Sequence, residues 1–152
     1  MVKHLLKLGA LALVVLVAGI SLKSCSTEKT IDKTQLEGYW VLKSFEGKPV
    51  EESFKGNIPT LEFDFEKELV AGSAGCNRYF GNFILEGNTF KAQKLGSTMM
   101  ACLEDNKEGE FLQLISSEGG LQISLEGNIL TFKTGENTHL EFAKEAKEDI
   151  AE

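Results

Sequence analysis

The chain has 152 residues, a net charge of −7 and an apolar fraction of 42%. The length is typical of one domain, and the apolar content allows a buried core, which excludes a disordered chain. The acidic balance argues against a nucleic-acid partner, because phosphate binding requires clustered lysines and arginines. Two histidines and three cysteines also exclude a cysteine-rich zinc scaffold.

Residues 1–24 have the layout of a secretory signal peptide. A basic start is followed by an uncharged run at residues 8–22, which is short for a spanning helix of about 20 residues. The next residues, Leu22-Lys23-Ser24-Cys25, resemble a bacterial lipobox. This resemblance implies cleavage before Cys25 and lipidation of its thiol. The alternatives are an uncleaved signal anchor, or an ordinary signal peptide beside which Cys25 is incidental.

A lipid on Cys25 would hold the protein at the bacterial cell envelope. Ser26 after the cysteine is similar to an outer-membrane sorting signal, so we expect an outer-membrane anchor facing the periplasm. Residues 25–35 are polar and would form the tether. Removal of residues 1–24 leaves 13 basic and 23 acidic residues, a net charge of −10, which would keep the body off anionic headgroups.

The predicted domain, residues 36–143, is patterned as seven or eight short strands. The strand patterns cover residues 38–45, 60–65, 69–73, 79–85, 90–92, 121–125, 129–133 and 138–143. Residues 60–65 alternate between apolar and polar side chains, which places Leu61, Phe63 and Phe65 on the inner face. Because an antiparallel sheet must protect its edges, we predict a mainly β fold curled into a small barrel or half-barrel.

One helix is predicted from about Asp105 to Ser117, packed against the sheet. Asp105 or Asn106 can cap its start, and acidic residues follow in the first turn. Its apolar face comprises Phe111, Leu112, Leu114 and Ile115. Residues 144–152 are charged and lack an apolar stripe, which predicts a solvated tail.

Three stretches occur in the order found in a known family. They are LEGYWVL at residues 36–42, GSAGCNRYFG at residues 72–81 and STMMAC at residues 97–102, with a Glu110-Phe111-Leu112 helix after them. Together they resemble the META domain, the HslJ-like family of heat-inducible bacterial envelope proteins. The resemblance implies a β-rich antiparallel fold, an envelope location and an association with stress or drug tolerance. It supplies no catalytic residue.

Cys76 and Cys102 would enter an oxidising compartment after export, where free thiols rarely persist. We therefore predict a disulfide between them, which would contribute about 3–4 kcal/mol by loop-entropy reasoning. Two buried, reduced cysteines are the alternative.

Gly75, Asn77 and Arg78 form a candidate structural or recognition loop beside Cys76. Asn77 suits a tight loop held by hydrogen bonds from its side chain. Arg78 is the sole arginine in the chain, which indicates either a planar fork bridging a carboxylate or carbonyls, or chance in an arginine-poor sequence. Trp40 is expected in the core.

Two sharper hypotheses involve the sulfur atoms. Cys76 could be a nucleophile, with His139 as the single histidine available after removal of the signal. Alternatively, Met99 and Met100 could join Cys76 and Cys102 in binding Cu(I), although we expect these methionines to fill the core instead.

The preferred function is that of a noncatalytic, lipid-anchored envelope protein that supports stress or drug tolerance through interactions. We expect a monomer without cofactor or metal, attached to the membrane through Cys25, whose protein or small-molecule partner is unknown. The alternatives are a carrier for a small apolar ligand or, less favoured, a Cys76 thiol enzyme or Cu(I) sequesterer. An empty lumen would favour the carrier and a filled one the interaction module.

Overall fold

A computed structural model describes residues 30–102 and 106–146, so Cys25, the predicted signal peptide and the end of the charged tail lie outside the described residues. Within these residues the chain forms nine strands and three short helices. The strands are β1 (Gly38–Phe45), β2 (Lys48–Pro49), β3 (Thr60–Asp64), β4 (Leu69–Ser73), β5 (Arg78–Glu86), β6 (Thr89–Ser97), β7 (Leu121–Glu126), β8 (Ile129–Thr134) and β9 (Asn137–Glu145). The helices are α1 (Lys33–Leu36), α2 (Val50–Ser53) and α3 (Glu108–Ile115).

The strands form one antiparallel sheet that curls into a ring, which confirms the predicted mainly β fold. From β3 to β9, each strand pairs with the next in sequence, and β1 pairs with both β3 and β9. The β6–β7 contact is short, with Thr89 opposite Gln122 and Phe90 opposite Leu121. In the ring, most strands therefore have hydrogen-bonded neighbours on both sides, which protects the sheet edges as predicted.

β1 buries side chains at both even and odd positions, and a bulge explains this for Phe45. Trp40 and Leu42 are fully buried, and the register with β9 shifts between Leu42 and Ser44. The shift reverses the alternation, so Phe45 is also buried at 3% exposure. The Trp40 ring N–H donates to the Leu36 carbonyl at 2.8 Å, which satisfies the polar atom of this core side chain.

Aromatic side chains fill the interior of the ring. Phe90 is fully buried, and its ring centroid lies 5.8 Å from that of Phe63 and 5.4 Å from that of Phe132. Phe132 in turn contacts Phe142 at 5.6 Å. Edge-to-face contacts of this kind stabilise a core beyond the area they bury.

α3 covers part of the ring through Phe111, a fully buried residue of the predicted apolar face. The ring centroid of Phe111 lies 5.8 Å from that of Tyr79 and 6.4 Å from that of Phe142. The helix is shorter than predicted and begins at Glu108, with Lys107 in the N-cap position. Asn106 still contributes, because its Oδ1 accepts the Glu108 N–H at 3.1 Å. The other predicted cap, Asp105, lies outside the described residues.

The folded body extends beyond the predicted limits of 36 and 143. α1 occupies Lys33–Leu36, within the expected tether, and β9 continues to Glu145, within the expected tail. The N–H of Ile31 donates to Asn88 Oδ1 at 3.0 Å, which places this start of the chain against the β5–β6 hairpin. In the part of the chain that the structure describes, no helix combines the length and apolar character needed to cross a bilayer.

Candidate functional site

A cluster of polar side chains and a disulfide lies where three segments meet. These are the loop before β5, the segment after β6 and the start of α3. Cys76 and Cys102 are joined there by a disulfide, with their Cα atoms 6.1 Å apart. Cys76 is half-buried and Cys102 is exposed. The structure thus brings together the two cysteines that the sequence paired.

Asn77 connects the loop to the segment after β6. Its side chain is buried, at 7% exposure, and its Oδ1 accepts hydrogen bonds from Thr98 Oγ1 at 2.8 Å and from the N–H of Met100 at 2.7 Å. Its Nδ2 donates to Glu108 Oε1 at 2.7 Å. One amide therefore holds two other segments, which extends the local loop role that the sequence predicted.

Glu108 completes the cluster from the first turn of α3. Its Oε2 accepts the backbone N–H groups of Cys76 at 2.9 Å and Asn77 at 2.7 Å. With the Asn77 amide, the carboxylate accepts three short hydrogen bonds, all charge-assisted. We call the disulfide together with the side chains of Asn77 and Glu108 the loop brace.

Gly75 gives the backbone the conformation that places Cys76 and Asn77 in the brace. Its φ is +114°, a backbone conformation that favours glycine, and a Cβ here would lie 2.9 Å from the Phe54 ring. The turn is closed by the N–H of Ala74, which donates to the Asn77 carbonyl at 2.8 Å. Gly75 therefore shapes this loop, which the sequence predicted to be a structural or a recognition loop.

Comparison with known proteins identifies a family. The family model of the META domain matches residues 33–147, which include the whole ring and the brace. The chain belongs to the META domain family.

Two solved structures have a similar fold, and both were determined by NMR. One is 32% identical with a TM-score of 0.60, and the match covers 75% of this chain and 95% of that chain. The other, from Burkholderia xenovorans, is 23% identical with a TM-score of 0.57, and the match covers 75% of this chain and 86% of that chain. No curated protein matches the sequence.

The part of this META domain that projects from the brace is the methionine segment, residues 98–102. Met99 is 96% exposed and Met100 is 56% exposed, so the expectation that both fill the core is wrong. The core is already occupied by aromatic rings, and the bond from the Met100 N–H to Asn77 holds the segment outside it.

Arg78 follows the brace at the start of β5. Its backbone makes two hydrogen bonds with Thr98. The Arg78 N–H donates to Thr98 Oγ1 at 3.1 Å, and the Thr98 N–H donates to the Arg78 carbonyl at 3.0 Å. Its side chain is exposed and lines a groove of about 570 Å³ on the outside of the ring. The predicted bridge to a carboxylate or carbonyl is absent among the described residues.

The sulfur atoms and the Glu108 carboxylate lie close enough together to resemble a metal site. One ligand atom each of Cys76, Cys102 and Glu108 lies within 4.8 Å of the others. However, the two sulfurs are bonded to each other, and the carboxylate already accepts three hydrogen bonds. In this state the cluster braces the loop, since metal binding would require thiolates.

The thiol-enzyme hypothesis needs a free Cys76 and a nearby base. The Cys76 sulfur is in the disulfide, and His139 Nδ1 lies 2.8 Å from Glu46 Oε1, by the β1–β2 hairpin. The structure therefore pairs His139 with a carboxylate and holds the Cys76 sulfur in a disulfide.

A buried phenol lies inside the ring, two residues after Asn77. Tyr79 is 1% exposed and donates to the Thr60 carbonyl at 2.8 Å. Burial raises the pKa of Tyr79 well above its ordinary value, with a smaller contribution from Tyr39. The phenol is thus held as a neutral donor, one residue after Arg78.

Proposed function

We propose that this META domain protein is a noncatalytic, lipid-anchored protein of the bacterial envelope that supports stress or drug tolerance by binding a partner. The observation that supports binding is the loop brace beneath the methionine segment. A disulfide, a buried amide and a carboxylate fix a segment whose Met99 side chain is 96% exposed.

The physical argument is that ordering a surface segment costs conformational entropy, about 1–2 kcal/mol per residue for the backbone. Met99 buries almost none of its side chain, so its own packing offsets little of that cost. The contacts that hold the segment come from the brace instead. A pre-ordered, adaptable apolar surface of this kind suits a protein partner with an apolar patch.

The filled ring favours this proposal over a carrier with an apolar ligand in its lumen. Phe90, Phe132 and Phe142 are each fully buried and occupy the interior. A ligand of appreciable size would have to displace these rings, and emptying such positions costs about 3–5 kcal/mol per aromatic side chain.

The anchor is proposed from the lipobox-like sequence at Leu22-Lys23-Ser24-Cys25. The test is intact-mass analysis with fractionation of the native host. We expect a mature chain that begins at Cys25 and carries acyl chains, and we expect Cys25→Ala to move the body to the soluble fraction. A wild-type chain that still begins at Met1, or a Cys25→Ala protein that remains on the membrane, would reject the anchor.

The partner surface is tested separately by crosslinking in intact cells. Met99→Ser combined with Met100→Ser should remove the crosslinked partner while leaving the thermal unfolding temperature unchanged, because both side chains are exposed. Ile129→Ser is the matched control, since Ile129 is also an exposed apolar residue, at 41%, but lies on β8. Equal crosslinking by wild type and the methionine variant would refute a role for this segment.

A further inference from the structure

The groove beside Arg78 is formed on the outer face of four neighbouring strands. Val41 pairs with Thr60, the N–H of Ser73 donates to Thr60 Oγ1 at 2.9 Å, and Ser73 pairs with Arg78. Gly56, Asn57 and Ile58, which precede β3, complete the lining. We call this the Arg78 groove, and its volume is about 570 Å³.

Two cationic side chains line the groove, Lys43 and Arg78, and one of them pairs with a carboxylate. Lys43 Nζ lies 2.5 Å from Glu145 Oε1, so these two side chains neutralise each other. Among the described residues, the Arg78 guanidinium makes no ion pair or hydrogen bond. An unpaired guanidinium is notable in a chain with 23 acidic and 16 basic residues. A planar fork of donors remains available to an anion.

The rest of the lining can hold an apolar body. Val41 is only 7% exposed although its side chain lies on the outer face, opposite to Trp40 and Leu42. Ile58 and Cys76 add further apolar surface, and Tyr39 contributes an aromatic ring with a hydroxyl group. Apolar walls with a few convergent polar groups are typical of small-molecule sites.

We propose that the Arg78 groove binds a small organic carboxylate, with the carboxylate on the Arg78 guanidinium and the apolar body against Val41 and Ile58. A carboxylate matches the guanidinium with two parallel hydrogen bonds. The groove lies outside the filled ring, so this site differs from a carrier lumen. The proposal goes beyond the anchor and the methionine segment and does not depend on either.

The chain offers an unusually clean probe, because Arg78 is its sole arginine. Full-length protein in lipid nanodiscs, labelled with ¹⁵N-arginine, gives one Nε–H resonance that reports on this side chain alone. The ¹³C-methyl signal of Ile58 reports on a second residue of the lining and is also available in Arg78 variants. Benzoate is the probe, and benzamide is its neutral control of nearly the same shape.

We expect saturable shifts of both signals with benzoate in the millimolar range and at least tenfold weaker binding of benzamide. Arg78→Gln should weaken benzoate binding tenfold or more, and Arg78→Lys should recover part of the affinity. Lys48→Gln, which removes an exposed positive charge outside the groove, should bind benzoate as the wild type does.

Three results would overturn the proposal: equal binding of benzoate and benzamide, unchanged benzoate binding by Arg78→Gln, or no saturable shift. Inorganic phosphate provides a further arm. If phosphate binds as tightly as benzoate, the site recognises charge alone and the apolar part of the proposal is wrong. Cys25→Ala, titrated in solution without nanodiscs, should show the same benzoate shifts, so failure of the anchor and failure of this site are distinguishable.

Discussion

Replacing Glu108 by alanine tests whether the loop brace stabilises the fold. The change removes the acceptor of three hydrogen bonds, from the N–H groups of Cys76 and Asn77 and from the Asn77 amide, at 2.7–2.9 Å. Hydrogen bonds to a charged group contribute about 1.5–3 kcal/mol each. Glu108 is half-buried, so water can replace part of the lost hydrogen bonding. We therefore assign about 1 kcal/mol of stability to each bond.

The expected loss is therefore about 3 kcal/mol of unfolding free energy, a large share of the roughly 5–15 kcal/mol of a typical domain. For a domain of this size the unfolding temperature should fall by about 12 °C. The assay is urea unfolding of the oxidised protein, followed by circular dichroism. Tryptophan fluorescence provides a second signal, since Trp40 is the single tryptophan and is buried.

Glu110→Ala is the matched control. Glu110 lies in the same first turn of α3, so the two substitutions have similar effects on the helix dipole. Its carboxylate pairs with Lys107 on the surface, where such pairs contribute about 0–1 kcal/mol. If Glu108→Ala were no more destabilising than Glu110→Ala, the brace would not contribute to stability. Additive losses in Asn77→Ala and Glu108→Ala would refute the coupling between them.

Three further outcomes follow from the geometry. Reduction of the disulfide, or Cys76→Ser with Cys102→Ser, should cost about 3 kcal/mol in urea unfolding, and an unchanged midpoint would contradict the loop-entropy argument. Burial raises the pKa of Tyr79, so the neutral phenol stabilises the folded state. Its contribution to the free energy of unfolding is fully present below the ordinary pKa of 10.0 and declines at higher pH, by about 1.4 kcal/mol per pH unit. Tyr79→Phe should lose about 1 kcal/mol at neutral pH and remove that alkaline decline, whereas a persistent decline would implicate another group. Gly72→Ala would place a Cβ 2.0 Å from a backbone oxygen and should cost at least about 3 kcal/mol in thermal unfolding. Gly119→Ala, with open space around it, should be near neutral, and equal losses would refute the steric argument.

The strands were predictable where alternation of side chains is local and regular. The bounds of β1 and β4 agree with the sequence patterns, because each carries its own apolar signal. β6 was predicted only over residues 90–92 but continues to Ser97. Lys94 has a φ of +50° and the register with β5 shifts nearby, so the bulge interrupts the alternation on which the prediction depended.

The site was predictable only in part, for a similar reason. The properties of cysteine and asparagine predicted the disulfide and the loop role of Asn77, since those roles follow from residue type. Glu108 was assigned only a helix-dipole role, because its partners lie about 31 residues away and no local pattern records that contact. Met100 was misplaced because apolar character predicts burial, whereas a hydrogen bond to Asn77 holds its backbone at the surface.

The bond between Ile31 and Asn88 has a consequence for how the molecule would stand on a bilayer. Asn88 lies in the hairpin at one end of β5 and β6, whereas Thr98 and the disulfide lie at the other end. Nine residues of extended strand separate the two ends by about 26 Å. If an acyl chain holds Cys25, as proposed, we expect the hairpin to face the lipid and the methionine segment to face away from it. A macromolecule approaching from the aqueous side would then contact the methionine segment and the disulfide first.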